Sequence, residues 1–312
     1  MTEGFDNSES RTEFDDALAN LTEVAKAGRY PVAELARLDD AYIQAGGREN
    51  VAQERKARTF VTETLRSEPV VLGRVAFAAG LTGRASAFFL RTSELCAEQE
   101  EGLTPEQLAI VIGGFRRGDG YEGMQRQLQR FTEKIAGDES ASAWALRSKV
   151  TYEEHMAAFQ AAGFADDAEA ARAFLERSMV LAERSIDEAN RADDRGGWLN
   201  AKMNIGGLLM PALGRRSEGI RMSEHVLAES EGHMLAAPNA EKRARLSRVA
   251  MNACLHLLKN GVEEGMPKEQ IEDWFTRVQT NEVYRMAMVD DQPPEFARET
   301  LNAARRYLGT TH

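Results

Sequence analysis

Apolar residues recur at helical spacing along most of the chain, and short polar or glycine-containing turns separate the periodic stretches. No stretch keeps the alternation of apolar and polar residues that is typical of a half-buried strand. Thr104-Pro105-Glu106 has the chemistry of a helix start, with proline at the first helical position. The pattern predicts an all-α protein with helices over 11–27, 31–45, 49–66, 69–81, 84–100, 104–117, 120–136, 140–162, 167–191, 196–213, 215–232, 238–260, 267–279 and 294–308.

A repeated local motif is the most informative feature of the sequence. Glu122-Gly123-Met124 and Glu218-Gly219-Ile220 each follow a turn glycine and lie 96 residues apart, which is two periods of 48. Glu169-Ala170-Ala171 lies between them at steps of 47 and 49. A small residue at a fixed place allows two helices to cross closely, and its apolar neighbour packs into the seam. The repeat therefore predicts consecutive helical hairpins.

The first helices of these hairpins also match each other. Asn204-Ile205-Gly206-Gly207 precedes the turn at Gly214 in the way that Asn252-Ala253-Cys254-Leu255 precedes Gly261. The segment Ala189–Glu229 therefore resembles the tetratricopeptide repeat (TPR) family. The resemblance extends over about 120–272, with two departures near this segment: one extra residue between Asn204 and Gly214, close to Pro211, and glycine at 219, where the family prefers alanine.

The resemblance implies a TPR-like α-solenoid of about five to seven antiparallel hairpins. We expect a single solenoid over 11–312, with core repeats over about 70–279 and capping helices over about 280–312. In the cap, Pro293-Pro294 starts a last helix that carries Phe296, Leu301 and Leu308. Residues 1–10 are polar and acidic, which predicts a disordered tail and is unlike a signal or transit peptide.

Charge, cysteine usage and hydropathy limit the kinds of partner and the cellular compartment that we expect for this protein. The net charge of -11 repels phosphate backbones, so we expect no nucleic-acid partner. Cys96 and Cys254 have no CxxC spacing, which is typical of a reducing compartment without a disulfide or zinc framework. Arginines and glycines interrupt the most apolar run, 69–90, so no membrane span is predicted. These features favour a cytoplasmic protein.

Motifs that would carry catalysis or cofactor binding are weak. Residues 118–123 form a literal GxGxxG, but one amphipathic helix follows it over 124–137, with no second strand to complete a dinucleotide site. The register of these glycines with the repeat indicates a hairpin turn instead. The five histidines form no HExxH motif, and no nucleophile signature is present. We therefore expect no metal, no cofactor and no enzymatic activity.

The best candidate for function is a polar stripe on the first helices. In TPR proteins these helices line a concave groove, and asparagine at the position of Asn204 and Asn252 commonly bonds a ligand's backbone or terminal carboxylate. Amides suit this role because they donate and accept, and Arg248 offers an anchor for an anion. His155 shares a helix face with Arg147 and Thr151. The predicted groove residues are Arg147, Thr151, Asn200, Asn204, Arg248, Asn252 and His256.

The leading functional hypothesis is an adaptor or sensor that binds a protein or peptide in this groove. Two other classes stay open from the sequence: a helical enzyme with a small-molecule pocket, and a scaffold that self-assembles through its solenoid ends. The first predicts a polar groove, the second an apolar pocket with convergent carboxylates, and the third exposed apolar terminal helices and a homo-oligomer.

Overall fold

All regular secondary structure in the described part of the protein is helical, which confirms the predicted all-α class. The computed structural model describes residues 7–29, 31–67, 71, 75, 78, 86–98, 103–118, 120–237, 240–281 and 295–309. Its helices are α1 (Asn7–Lys26), α2 (Val32–Gln44), α3 (Val51–Ser67), α4 (Ala87–Glu98), α5 (Pro105–Arg117), α6 (Tyr121–Lys134), α7 (Ala141–Ala162), α8 (Ala168–Arg191), α9 (Arg195–Asn204), α10 (Met210–Ala212), α11 (Arg216–Leu235), α12 (Ala240–Glu264), α13 (Lys268–Thr280) and α14 (Glu295–Leu308).

Most predicted boundaries lie within a few residues of the observed ones. The first helix begins at Asn7, inside the segment predicted as a disordered tail, while residues 1–6 lie outside the described residues. Val71, Val75 and Ala78 are helical and buried, and the rest of the predicted helix 69–81 lies outside the described residues. The predicted start of the last helix at Pro293-Pro294 also lies outside them.

The chain divides into two compact units, residues 1–137 and 138–312. In unit 1, α1 packs on α2, and α4 packs on both α2 and α3, around aromatic rings contributed by α1 to α4. Phe88 of α4 lies at the centre, with its ring centroid 6.2 Å from Phe14, 5.8 Å from Tyr42 and 5.9 Å from Phe60. Asp39 accepts hydrogen bonds from the Ser86 hydroxyl (2.9 Å) and from the backbone N–H of Phe88 (3.0 Å), which fixes the start of α4 on α2.

The GxGxxG segment lies at the turn between α5 and α6, as the repeat register predicts. A Cβ atom at position 118 would lie 2.2 Å from the Leu90 Cβ, and one at position 123 would lie 2.1 Å from the Phe115 ring. These glycines allow close helix packing, and helices flank them on both sides. Asp119 lies outside the described residues.

Unit 2 begins with the antiparallel hairpin of α7 and α8, which polar side chains hold together in the seam. The hydroxyls of Ser148 and Ser185 each donate to the other residue's backbone carbonyl at 2.9 Å. Two turns along, the Ser178 hydroxyl donates to the His155 carbonyl at 2.9 Å, and His155 Nδ1 lies 2.7 Å from the Ser178 hydroxyl. All four side chains are buried, so the ladder sets both the spacing and the register of the two helices.

The second hairpin packs α11 against α9 and the π-helical turn Ile205–Leu209 that connects α9 to α10. A Cβ atom at position 219 would lie 2.3 Å from the Gly206 carbonyl oxygen, so the two backbones touch. This close approach confirms the small residue that the repeat predicts at the crossing.

The third hairpin, α12 and α13, and the final helix α14 complete the core of unit 2. Gly261 of α12 faces the Trp274 ring of α13, where a Cβ atom would approach to 2.7 Å. Leu301 of α14 is buried in the same core, and Phe296 and Leu308 pack against it. Most consecutive helices within each unit pack on one another, as hairpins require, and one continuous repeat domain over 11–312 stays a prediction.

Candidate functional site

The helices α9 and α12 lie side by side and parallel, at a constant offset of 49 residues. Near their N-terminal ends, Gly196 faces the Arg245 side chain, and farther along Gly207 faces the His256 ring. Equal offsets at two separated contacts indicate that the two helices run in the same direction with a matched helical rise. By this offset Asn200 is level with residue 249, next to Arg248 in the chain, and the side chains of Asn200 and Arg248 are both partly exposed.

The π-helical turn shapes the middle of this pair. Pro211 has no N–H to donate to the Gly207 carbonyl four residues earlier, so the α-helical ladder is interrupted there. The amide of Asn260 on α12 donates to that carbonyl instead, at 3.1 Å, and Asn260 is 1% exposed. The extra residue that the sequence places near Pro211 is thus absorbed as a π turn, and α12 satisfies the backbone group that it frees.

His256 lies against this turn and is almost completely buried. Its ring packs on Gly207, where a Cβ atom would come within 2.3 Å, and its centroid is 5.4 Å from the Phe296 ring. Burial, and then the positive charge of Lys259, lower the pKa of His256 to about 4. Its Nδ1 has no hydrogen-bond partner among the described residues. His256 is therefore a neutral imidazole at pH 7, with a polar nitrogen unsatisfied within the described part of the protein.

Two other residues of the predicted stripe, Asn204 and Thr151, are also buried, and so is His155 on the same helix face as Thr151. The Asn204 side chain is 3% exposed and donates to the Tyr152 hydroxyl at 3.2 Å, which links α9 to α7. Thr151 is 2% exposed, and His155 belongs to the hydrogen-bonded seam of α7 and α8. The side chains of Asn204 and His155 hydrogen-bond to neighbouring helices, and a role in binding a ligand stays a prediction for Thr151 and Asn204.

The remaining predicted residues are partly exposed. Arg147 donates to the Asp138 carbonyl at 2.7 Å and lies over the Trp144 ring at 4.4 Å, near the start of unit 2. The other three lie on α9 and α12, and we group them as one face: Asn200, Arg248 and Asn252.

Two residues near this face lie outside the predicted set. Lys259 is exposed on α12, and its amine lies 5.7 Å from the centroid of the Phe296 ring. Its position, two turns after Asn252, places it in the same helical stripe, so the periodicity that found Asn252 could have found it. Phe296 gives no such signal, because only the packing of α14 on α12 brings it there. We define the first-helix face as Asn200, Arg248, Asn252 and Lys259.

Other candidate chemistry is weaker. Burial raises the pKa of both the Cys96 and Cys254 thiols to about 12, so neither forms a thiolate readily. Within the described part of the chain, no group of three or more histidine, cysteine, aspartate or glutamate residues is placed to hold a metal ion. Nor is any described helix long and apolar enough to cross a membrane. A surface hollow of about 500 Å³ lies in unit 1, lined by Ala45, Gly46, Glu49, Asn50, Val51, Ala52 and Arg55.

Comparison with known proteins finds no matching family model, no matching curated protein and no matching solved structure. The resemblance to the TPR family therefore rests on the repeat pattern and on the packing of consecutive helices.

Proposed function

We propose that this protein is an adaptor or sensor that binds a protein or peptide segment on the first-helix face of a TPR-like α-solenoid. The observation that carries the proposal is the parallel register of α9 and α12, set by the contacts of Gly196 and Gly207. Because the offset is constant, Asn200 of α9 is level with the part of α12 that carries Arg248 and Asn252. A row of polar side chains across two neighbouring helices offers several contacts to an extended peptide.

The side chains on the face suit recognition of a peptide backbone. Asn200 and Asn252 each carry two amide donors and an acceptor, so they pair with backbone carbonyl and N–H groups. Arg248 adds a planar donor for a carboxylate. These residues are partly exposed, so a ligand reaches them without unfolding a helix.

The test compares partner capture by the wild type and by the double variant Asn200→Ala/Asn252→Ala, with affinity pull-down from native lysate and mass spectrometry. Asn204 is left intact because its bond to the Tyr152 hydroxyl stabilises the fold. We expect a partner that the wild type retains and the double variant loses.

A matched control removes two amides elsewhere. Asn190→Ala/Asn302→Ala changes exposed residues on α8 and α14, and we expect it to retain the partner. Circular dichroism and urea midpoints establish that all three proteins fold. Capture that survives in both double variants places the binding surface elsewhere, and the absence of any captured partner contradicts the proposal.

A further inference from the structure

The surface hollow of unit 1 lies where the chain passes from α2 to α3, and hydrogen bonds hold its walls in place. One wall is the end of α2, at Ala45 and Gly46, and the other is the start of α3. The Asn50 amide donates to the Ala45 carbonyl at 2.9 Å, and its side-chain oxygen accepts from the backbone N–H of Ala52 at 3.2 Å. Asn50 therefore caps α3 and ties it to the end of α2. The volume of about 500 Å³ suits a small organic ligand.

Two charged side chains that line the hollow differ from the charged residues around them. The Glu49 carboxylate and the Arg55 guanidinium are both exposed, and neither forms an ion pair or a side-chain hydrogen bond with any residue that the structure describes. The other charged residues of the segment 48–58 all form ion pairs within unit 1: Arg48, Glu54, Lys56 and Arg58. The hollow therefore offers one unpaired carboxylate and one unpaired guanidinium to a ligand.

The rest of the lining is largely aliphatic. Val51, in the first turn of α3, has 74% of its surface exposed and contributes a branched apolar side chain to the hollow. Ala45 and Ala52 add smaller apolar surfaces. Val51 and Arg55 are four residues apart, so they lie on the same side of α3. A ligand that covers Val51 and removes its surface from water is therefore placed beside the guanidinium as well.

We propose that this hollow binds a small zwitterion of about the size of a dipeptide, with an ammonium group, a carboxylate and an aliphatic side chain. The ammonium group pairs with Glu49, the carboxylate pairs with Arg55, and the aliphatic side chain covers Val51. A simple anion or cation fits less well, because it meets an unpaired charge of its own sign in the same hollow. This site goes beyond the proposed function, since the hollow belongs to unit 1 and the first-helix face to unit 2.

The experiment is isothermal titration calorimetry of the full chain at ~50 mM NaCl, where screening of exposed charges is weak. The main probe is the dipeptide alanyl-leucine. Three matched probes each lack one feature: N-acetyl-alanyl-leucine has no ammonium group, alanyl-leucinamide has no carboxylate, and glycyl-glycine has no aliphatic side chain. We expect alanyl-leucine to bind, and each matched probe to bind about fivefold weaker or more.

Two single substitutions assign the charges of the ligand to the two sides of the hollow. Glu49→Gln should remove the preference for alanyl-leucine over its N-acetyl form and keep the preference over the amide. Arg55→Gln should do the reverse, because each variant neutralises the partner of only one ligand group. The matched control is Glu23→Gln/Arg37→Gln, which removes the same two charges at exposed positions of α1 and α2. Its affinity for alanyl-leucine should stay within about twofold of the wild type.

Several outcomes would overturn the proposal: no binding of alanyl-leucine, equal affinity for all four probes, or an equal loss of affinity in the control and in the hollow variants. Unchanged preferences in Glu49→Gln and Arg55→Gln would also overturn it, because the ligand would then bind elsewhere. The probe series uses the wild type alone, so it tests the proposal even where a variant fails to fold. Circular dichroism checks the folding of each variant.

Discussion

The hairpins α7/α8 and α9/α11 have the same antiparallel arrangement, but they bring their helices together by opposite means. In α7/α8, small polar side chains fill the seam, and Ser148 and Ser185 exchange hydrogen bonds at 2.9 Å. In α9/α11 both helices have glycine at the crossing, and Gly219 lies directly against the Gly206 backbone. A serine ladder fixes register through directed bonds, whereas a glycine contact fixes distance through sterics.

The second hairpin also contains the two departures from the TPR repeat that the sequence resembles. Its π turn adds a residue to the first helix, and the Gly206 carbonyl then lies where an alanine methyl at 219 would otherwise fit. The two departures in the sequence, the extra residue near Pro211 and glycine at 219, therefore belong to one structural feature. The regular α7/α8 pair needs neither.

The largest expected effect is at the glycine contact. Gly219→Ala places a methyl 2.3 Å from a backbone oxygen, which must move, so we expect a loss of about 3 kcal/mol in the free energy of unfolding by urea denaturation. Gly232→Ala on the same helix is the control, because a Cβ atom there meets nothing within 4 Å. The control should stabilise by about 0.5–1 kcal/mol through helix propensity. An equal change in the free energy of unfolding for the two variants would contradict the steric explanation.

A smaller, pH-dependent effect tests the packing of the π turn. The pKa of His256 is lowered to about 4, so the folded protein resists protonation while the unfolded chain binds a proton near pH 6.5. This contribution to stability is present above pH 6.5 and is lost as the pH falls towards 4. We expect His256→Leu to remove about 2 kcal/mol of the decrease in unfolding free energy between pH 7 and pH 5.

The control for the pH effect is His233→Gln, which changes an exposed histidine on α11. Its stability should follow the wild-type pH dependence in urea titrations at both pH values. A His256→Leu protein with the wild-type slope would show that the imidazole titrates normally, and so is not buried against Gly207.

The smallest effect concerns the serine ladder. Ser148→Ala and Ser185→Ala should each cost about 1 kcal/mol, because a buried hydrogen bond is lost and little volume changes. The double variant should cost less than the sum of the single changes, since the two hydroxyls bond reciprocally. Ser142→Ala, at an exposed position of α7, is the control. Strict additivity of the two changes would mean that the ladder does not act as a unit.

Much of the fold could be predicted because helical periodicity and turn glycines are local signals. The helices from α5 to α13 lie close to their predicted ranges, and Gly123 and Gly219 occupy close crossings as expected. The candidate site was harder to predict. Asn204 and Asn252 match in the sequence repeat, 48 residues apart, yet the first is 3% exposed and bonded to Tyr152, while the second is partly exposed. Sequence register could not distinguish them, because the difference depends on which helix packs alongside.

The sequence by itself determined the helical class, the hairpin repeat and the place of the irregular turn, because each arises from residues a few positions apart in the chain. Tertiary structure alone decided which stripe residues face outward, because burial depends on neighbours about fifty residues away. It also decided that Asn260 satisfies the Gly207 carbonyl and that Phe296 covers His256. A helical stripe fixes the direction in which a side chain points along its own helix, and only the packing of other helices fixes what it meets there.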